Sequence, residues 1–166
     1  MEITKDDIEL ATASDLADWL ELVSFTIDGF PCLNETEYLS FLHQCIDKKQ
    51  AFILRDDDMA IGVMAYSVES GSIDFMAVHP QYRNQNITKV FLDKLMEEQF
   101  CGRELSITTF REGDKADTGY REELYRLGFA ERELLVEFVY PTQRFVLPPK
   151  YREDKENDTI KEQLEE

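Results

Sequence analysis

The spacing of hydrophobic residues in the first third of the chain predicts one strand followed by two helices. Apolar and polar residues alternate over about Asp7 to Thr12, which is typical of a half-buried strand. Thr12-Ala13-Ser14-Asp15 resembles a capping box that begins a helix, and Gly29 and Pro31 end that helix. A second helix is predicted over about Glu35 to Lys49. The expected inward-facing residues are Leu16, Leu20, Val23 and Ile27 in the first helix, and Leu39, Leu42 and Ile46 in the second.

The middle of the chain has the two-residue period of strands. Ala51 to Arg55 and Met59 to Val68 are typical of an antiparallel hairpin. The intervening Asp56-Asp57-Asp58 lacks the further oxygen ligands and the glycine of a calcium loop, so we interpret it as a turn. A third strand follows Gly71 and has apolar residues on both faces. We expect Ile73, Phe75 and Ala77 on one face, and Met76 and Val78 on the other.

The last part of the chain alternates between helices and strands. Val90, Phe91, Leu95 and Phe100 recur at roughly helical spacing. The elements predicted after this helix are a strand at Leu105 to Phe110, a polar loop at Arg111 to Thr118, a helix at about Tyr120 to Leu127, a strand at Phe129 to Val139, a turn at Tyr140-Pro141-Thr142-Gln143, and a final strand at Arg144 to Leu147. The order β-α-α-β-β-β-α-β-α-β-β indicates a mixed α/β fold.

The length of 166 residues favours a single domain, which we place at residues 1–149. Residues 150–166 are charged and nearly free of large apolar side chains, so we expect a disordered tail or a frayed helix. No apolar run approaches the length of a membrane span, and the acidic N-terminus does not resemble a signal peptide. We therefore expect a cytoplasmic protein without a membrane partner. The three cysteines have no C-x-x-C spacing, which argues against a disulfide framework and a zinc site.

The formal charge of −17 excludes nucleic acid as an expected partner, because nucleic-acid binding needs clustered Lys and Arg. The first 60 residues hold 14 acidic and 4 basic side chains. If this part lines a binding site, its field attracts cationic amines. A solvated acidic surface that favours solubility is the simpler interpretation of the same residues.

The segment from Val78 to Lys89 connects the third strand of the middle region to the following helix. Backbone N–H groups at a helix N-terminus lack partners and attract anions. Arg83 and Lys89 add positive charge to this helix start, so a pyrophosphate group is the expected ligand. A strand–turn–helix connection without a ligand remains the alternative interpretation.

Two motifs in this region and further along the chain resemble the GNAT N-acetyltransferases. The family motif V-x-P-x-Y-R-G-x-G-I-G-x-x-L-L aligns with Val78 to Leu92 without a gap. The matching residues are Val78, Pro80, Tyr82, Arg83, Ile87 and Leu92. Leu124-Tyr125-Arg126-Leu127-Gly128-Phe129 resembles the ending of the family's last helix, L-Y-x-x-x-G-F or L-Y-x-x-G-F. The resemblance covers residues 5 to 148 and implies the GNAT acyl-CoA N-acyltransferase fold, a central, mostly antiparallel sheet flanked by helices.

The resemblance implies acetyl-CoA as co-substrate and identifies the residues that bind it. The pyrophosphate would bind the loop formed by Arg83, Asn84, Gln85, Asn86, Ile87, Thr88 and Lys89, while Met76, Ala77 and Val78 would pair with the pantetheine arm. The family's R/Q-x-x-G-x-G/A core falls on Arg83, Asn86 and Thr88, so both glycines of this core are missing. Asn tolerates a positive φ angle, whereas the β-branched Thr does not. Thr88 is expected either to cap the helix or to offer its hydroxyl to a phosphate.

Acetyl transfer to an amine needs a proton for the departing thiolate and a base for the amine. The resemblance implies Tyr125 as the proton donor; packing of its ring beneath the cofactor helix is the alternative. Asp74 is expected on the strand face of Met76 and Val78, either relaying a proton or serving as an ordinary strand carboxylate. We expect His79 to be exposed and without a chemical role. No metal site is predicted, because the two histidines have no metal-binding spacing, and no Gly-x-Ser-x-Gly hydrolase motif occurs.

These features favour an acetyl-CoA-dependent N-acetyltransferase acting on a primary amine of a small molecule or on an exposed protein amine. The alternative is a non-catalytic GNAT-fold protein that binds an acyl-CoA or a protein partner. The missing glycines favour that alternative, while Tyr125 and Arg83 favour the enzyme. Fold does not determine the acceptor, and the sequence leaves a homodimer and a monomer equally open.

Overall fold

The computed structural model describes residues 3–26, 35–83, 85–115, 117, 119–137 and 139–149. Within these residues it contains four α-helices and seven strands in the predicted order. The helices are α1 (Leu16–Ser24), α2 (Glu35–Asp47), α3 (Ile87–Glu98) and α4 (Tyr120–Arg126). The strands are β1 (Ile8–Leu10), β2 (Ala51–Asp56), β3 (Met59–Ser67), β4 (Ser72–Val78), β5 (Leu105–Phe110), β6 (Ala130–Glu137) and β7 (Tyr140–Leu147).

The seven strands form one mixed sheet in the order β1-β2-β3-β4-β5-β7-β6. Every neighbouring pair is antiparallel except β4 and β5. This parallel pair needs a crossover connection, which α3 supplies. The predicted mixed α/β architecture with a mostly antiparallel sheet is confirmed.

The sheet separates two hydrophobic cores. One core lies under α3 and α4 and includes Phe91 and Leu95 of α3 and Leu124 of α4. The other lies under α1 and α2 and includes Trp19 of α1 and Leu42 of α2. Helices therefore cover both faces of the sheet, and residues on β4 face one helix pair or the other.

The inner stripes of α1 and α2 differ from the predicted ones. Val23 of α1 is buried as predicted, but the fully buried residues of this helix are Trp19 and Leu22, whereas Leu16 and Leu20 are only partly buried. On α2 the buried residues include Tyr38, Leu42 and Cys45, while Leu39 and Ile46 are only partly covered. The predicted Ile27 lies outside the described residues. A rotation of roughly one residue about each helix axis accounts for the difference, since neighbouring residues are about 100° apart.

A β-bulge at Asp74 overturns the predicted assignment of faces on β4. Ala65 of β3 pairs with Phe75 and the next residue, Tyr66, pairs with Ile73, so Asp74 is an extra residue. Such an insertion shifts the alternation of side chains. Ile73 therefore joins the core under α3, whereas Phe75 joins the core under α1 and α2.

The last hairpin turns earlier than the sequence predicts. The chain reverses between Glu137 and Tyr140, and the predicted turn at residues 140–143 is part of β7. Pro141 pairs with Val136 of β6, but the pairing of β7 with β5 begins only at Thr142. Pro141 therefore lies outside the β5–β7 ladder, which does not need the N–H group that proline lacks.

The start of α3 lies unusually close to β3. A Cβ atom built on Gly62 of β3 would lie 2.7 Å from Phe91 Cε2 and 3.0 Å from Ile87 Cγ2. Only a residue without a side chain permits this approach. Gly62 pairs with Val78, the last residue of β4, so the close contact places the N-terminus of α3 beside the end of that strand.

Candidate active site

A cleft opens in the sheet where β4 and β5 separate. The two strands pair only at Ser72–Ser106 and Ile73–Ile107, directly before the bulge at Asp74. Beyond this point β5 continues to pair with β7, and β4 continues to pair with β3. The carboxyl ends of both strands thus form the walls of one opening, and α3 begins just after the β4 wall. In parallel α/β arrangements such an opening is where ligands bind.

The loop before α3 has the conformation that its replaced glycine requires. Asn86 adopts φ 58° and ψ 26°, in the left-handed region, and is the N-cap residue of α3. The prediction that Asn86 takes a positive φ is confirmed. The alternative of Thr88 as the N-cap is wrong, because Thr88 is the second residue of the helix and is buried.

The N-terminus of α3 presents backbone donors to the end of the cleft. The first hydrogen bond along this helix joins the Val90 N–H to the Asn86 carbonyl at 3.1 Å. The N–H groups of Ile87, Thr88 and Lys89 belong to the preceding turn, for which an α-helix supplies no acceptor. These groups are suited to an anion, and the helix dipole adds to the attraction.

Two basic side chains flank this helix start, and they differ in availability. Lys89 is paired with Asp93 at 2.8 Å, one turn further along α3. Arg83 is exposed and has no ion pair with any residue that the structure describes. Arg83 is therefore the cation that is more available to a pyrophosphate. Gln85 is also exposed, and Asn84 lies outside the described residues.

Aromatic side chains hold the loop in place. Tyr82 donates its hydroxyl proton to Asp56 Oδ2 at 2.6 Å, which ties the loop to the β2–β3 hairpin. This hydrogen bond raises the pKa of Tyr82 above its ordinary value. The ring of Tyr82 lies edge-on to His79 at 5.6 Å between centroids, and Phe25 contacts His79 from the end of α1 at 5.3 Å.

His79 is buried, so the prediction of an exposed histidine is wrong. Only 9% of its surface is accessible, because Phe25 and Tyr82 cover the ring. Its Nδ1 atom accepts a hydrogen bond from the Gln81 N–H at 3.2 Å. The neutral ring must then carry its proton on Nε2. Nδ1, the nitrogen through which this ring could act as a general base, is therefore already bound to the loop backbone.

Asp74 faces α2 and not α3. As the bulged residue it lies on the face of Phe75, which corrects the predicted grouping with Met76 and Val78. Ser72 donates its hydroxyl proton to Asp74 Oδ1 at 2.7 Å. Asp74 is exposed, but partial desolvation of its carboxylate by the surrounding protein raises its pKa, and the Ser72 bond opposes that shift. Burial raises the pKa of the nearby Cys45 thiol to about 11, and the charge of Asp74 contributes.

Tyr125 lies on the other face of the sheet, so the structure does not bring it together with Asp74. Its ring packs edge-on to Phe145 of β7 at 5.5 Å, in the core under α3 and α4. Its side of α4 is open, with 47% of the residue accessible. The hydroxyl donates to Glu131 of β6 and accepts from Arg121 Nη2 at 3.2 Å.

Several residues that shape this region belong to no sequence motif. Gly62 permits the approach of α3, Asp56 anchors Tyr82, and Arg121 contacts the Tyr125 hydroxyl. None of these residues lies in the aligned motifs. Gly62 and Asp56 act through contacts with residues distant in sequence, whereas Arg121 lies one turn before Tyr125 on α4. The described residues contain no group of three or more His, Cys, Asp or Glu arranged to hold a metal ion. Nor does any helix in the described part have the length and apolar composition of a membrane span.

The profile of the acetyltransferase (GNAT) family matches residues 15–129, which include the whole cleft and its loop. The chain belongs to the GNAT acetyltransferase family. No curated protein matches the GNAT chain. Solved structures do share its fold at low sequence identity, as expected for a divergent member of a large family.

Three of these structures illustrate the shared fold. A putative GNAT acetyltransferase from Bacteroides thetaiotaomicron is 21% identical with a TM-score of 0.61, covering 95% of this chain and 94% of its own. The ribosomal-protein-S18-alanine N-acetyltransferase from Escherichia coli is 18% identical with a TM-score of 0.63, and the match covers 85% of this chain and 92% of that enzyme. A chain of the NatC complex bound to Gag peptide and CoA is 19% identical with a TM-score of 0.63, and the match covers 90% of this chain and 100% of that chain.

Proposed function

We propose that this GNAT protein transfers the acetyl group of acetyl-CoA to a primary amine of a small molecule or to an exposed protein amine. The observation that carries the proposal is the N-terminus of α3 at the mouth of the β4–β5 cleft. Asn86 there has the left-handed conformation that glycine normally provides, and Arg83 is free of described ion pairs. The loop lacks both glycines of the R/Q-x-x-G-x-G/A core, yet it has a backbone conformation and a charge suited to a pyrophosphate.

In this proposal the chain binds acetyl-CoA along β4 and α3. The N–H groups at the start of α3 and the Arg83 guanidinium bind the pyrophosphate, with Lys89 nearby. The β4 wall of the cleft is formed by Met76, Ala77 and Val78. One edge of this segment pairs with β3, and the other edge faces the cleft. Because β5 has separated from β4 at this point, the wall is suited to backbone hydrogen bonds from a pantetheine arm.

The acceptor amine approaches from the face of α1 and α2. Asp74 is the acidic residue at the bulge on this face, and its raised pKa suits it to take up a proton through water. A carboxylate there also attracts an ammonium group, which favours a cationic acceptor. Two solved structures of the same fold concern protein chains as acceptor or ligand, one named for alanine of ribosomal protein S18 and one bound to Gag peptide. They support a protein amine as a candidate acceptor.

Tyr125 is the proposed donor of the proton that the departing thiolate takes. Tyr125 is exposed on α4, and its hydroxyl donates a hydrogen bond to Glu131. In the proposed reaction this proton passes to the sulfur of CoA. The proposal supplies an acid for the leaving group on one face of the sheet and a base for the amine on the other.

Two measurements on the purified protein test the proposed function. Acetyl-CoA is expected to raise the melting temperature, because a ligand that binds only the folded state stabilises it. A thiol-release assay over a panel of small amines and N-terminal peptides is then expected to show turnover with at least one acceptor. Stabilisation by acetyl-CoA without turnover would favour the non-catalytic alternative. An unchanged melting temperature at millimolar acetyl-CoA would contradict both.

A further inference from the structure

Arg121 joins the last helix to the three strands beyond the cleft. Its side chain is only 7% accessible. Nη1 donates to the Phe110 carbonyl at the end of β5 at 2.8 Å, and to Gln143 Oε1 on β7 at 2.7 Å. Nη2 donates to Glu131 Oε1 on β6 at 2.6 Å. A buried charge is costly unless it is paired and hydrogen-bonded, so these bonds to three strands hold the guanidinium in place.

The same guanidinium contacts the proposed proton donor. Nη2 of Arg121 lies 3.2 Å from the Tyr125 hydroxyl oxygen, and that hydroxyl donates to Glu131. The two charged groups act on the phenol in opposite directions. A cation that donates to the oxygen stabilises the phenolate, whereas a carboxylate that accepts the proton stabilises the neutral phenol. Arg121 therefore favours release of the Tyr125 proton, and Glu131 opposes it.

We propose that Arg121 is a positioning residue that prepares Tyr125 to protonate the departing CoA thiolate, and that Glu131 restrains this proton. The proposal rests on the proposed function. In the transfer the O–H bond of Tyr125 breaks and an S–H bond forms, while the electron pair of the O–H bond stays on the phenolate oxygen. Nη2 of Arg121 stabilises this phenolate until bulk water returns a proton.

Opposite effects of two substitutions distinguish this proposal from a purely structural tether. Loss of either partner of a structural ion pair would lower activity and stability together. Here Arg121→Met is expected to lower kcat, because the phenolate loses its cation. Glu131→Gln is expected to raise kcat by about threefold, because the proton is no longer held and the phenol is a stronger acid.

The kinetic test compares these variants with the wild type on an amine that it acetylates. Arg126→Met and Glu133→Gln are matched controls, since both residues are exposed and lie near the network without contacting Tyr125. Where Arg121→Met does not fold, Arg121→Lys replaces it in the test. Lysine keeps the positive charge but lacks the paired N–H donors of the guanidinium, so a smaller loss of kcat is expected. Acetyl-CoA KM is expected to stay near the wild-type value throughout. A lower kcat in Glu131→Gln would overturn the proposal.

A second readout does not require turnover. NMR of protein labelled at the tyrosine ζ-carbon follows ionisation of the Tyr125 phenol, whose signal is assigned by its loss in Tyr125→Phe. The phenol in Glu131→Gln is expected to ionise about one pH unit below the wild type, and in the Arg121 variant above it. Ionisation at the same pH in all three proteins would overturn the electrostatic role. If the wild-type protein shows these shifts but no turnover, the proposed function and proton transfer to CoA are contradicted, and only the electrostatic effect of Arg121 and Glu131 on Tyr125 is supported.

Discussion

At the residue scale, the account depends on a left-handed Asn in place of a motif glycine. Asn86 has a φ of 58°, a conformation that costs Asn less than other side chains and that Gly adopts freely. Asn86→Gly is therefore expected to bind acetyl-CoA as tightly as the wild type or more tightly. Asn86→Val is expected to bind more weakly, because a β-branched residue resists this φ. Calorimetry on folded variants measures both, and equal affinities of the Gly and Val variants would show that the loop does not depend on this angle.

The catalytic assignment at residue scale depends on one hydroxyl group. Tyr125→Phe removes the proposed acid while keeping the ring that packs on Phe145. General acid catalysis contributes about 10² to 10⁴ in rate, so kcat is expected to fall by that order with acetyl-CoA affinity nearly unchanged. Steady-state kinetics with the best amine of the panel measures this effect. Wild-type turnover in Tyr125→Phe would assign the proton to water.

Sequence reasoning reached some of these residues and missed others for identifiable reasons. The conformation of Asn86 was predictable, because the aligned motif requires a residue that accepts positive φ. The face of Asp74 was not, because an extra residue in a strand leaves no mark in the hydrophobic pattern. The burial of His79 depends on Phe25, which lies more than fifty residues earlier in the chain. Contacts of that kind cannot be read from local spacing.

At the element scale, the position of α3 depends on its close approach to β3. Gly62→Ala would place a Cβ atom 2.7 Å from Phe91 Cε2, so the ring or the helix must move. Overpacking of this kind costs about 1 to 3 kcal/mol of the free energy of unfolding. Because α3 follows the proposed pyrophosphate-binding loop, acetyl-CoA affinity is expected to fall as well. Urea unfolding and calorimetry measure the two effects, and Gly62→Ala with Phe91→Leu is expected to recover part of both. An unchanged Gly62→Ala protein would contradict the close packing.

The attachment of α1 to the sheet gives a pH dependence. Asp15 before α1 pairs with Arg55 of β2 at 2.6 Å. Burial raises the pKa of Asp15, but the Thr12 N–H and Arg55 stabilise the carboxylate and lower the pKa overall below its ordinary value of 3.8. A lowered folded-state pKa stabilises the fold above pH 3.8, and this stabilisation is lost as the pH falls through the folded-state value.

Asp15→Asn tests this attachment. The variant is expected to lose up to about 1 kcal/mol of the free energy of unfolding at neutral pH. The difference from the wild type is expected to shrink steadily below pH 3.8, where the wild-type carboxylate also becomes neutral. Urea unfolding at several pH values measures it. A difference that stays constant down to pH 3 would show that the charge of Asp15 contributes nothing.

The order of elements was predictable because breakers and changes of period separate them clearly along the chain. The final hairpin was misplaced, since Tyr140-Pro141-Thr142-Gln143 has typical turn residues while the actual reversal includes Val139 at a φ of 63°. A β-branched residue is rare in that conformation, so composition does not indicate a turn there. Pairing with β6 determines the position of Pro141 more strongly than its local preference does.

At the scale of the whole molecule, the proposed function requires a protein with a net charge of −17 to bind a highly anionic ligand. The field of the molecule opposes acetyl-CoA, so the local cations and helix donors at α3 must outweigh it. The same field favours a cationic acceptor on the face of α1 and α2. In the proposed function these two requirements are met on opposite faces of one sheet, and the cleft between β4 and β5 connects them.

The most direct test of the central claim is the affinity for acetyl-CoA in wild type and Arg83→Glu at low salt. A charge-assisted contact contributes about 1.5 to 3 kcal/mol, so the substitution is expected to weaken binding tenfold or more. Arg126→Glu, at an exposed position on α4, changes the net charge equally and is expected to bind like the wild type. Wild-type affinity in a folded Arg83→Glu protein, or an equal loss in Arg126→Glu, would contradict a pyrophosphate site at the start of α3.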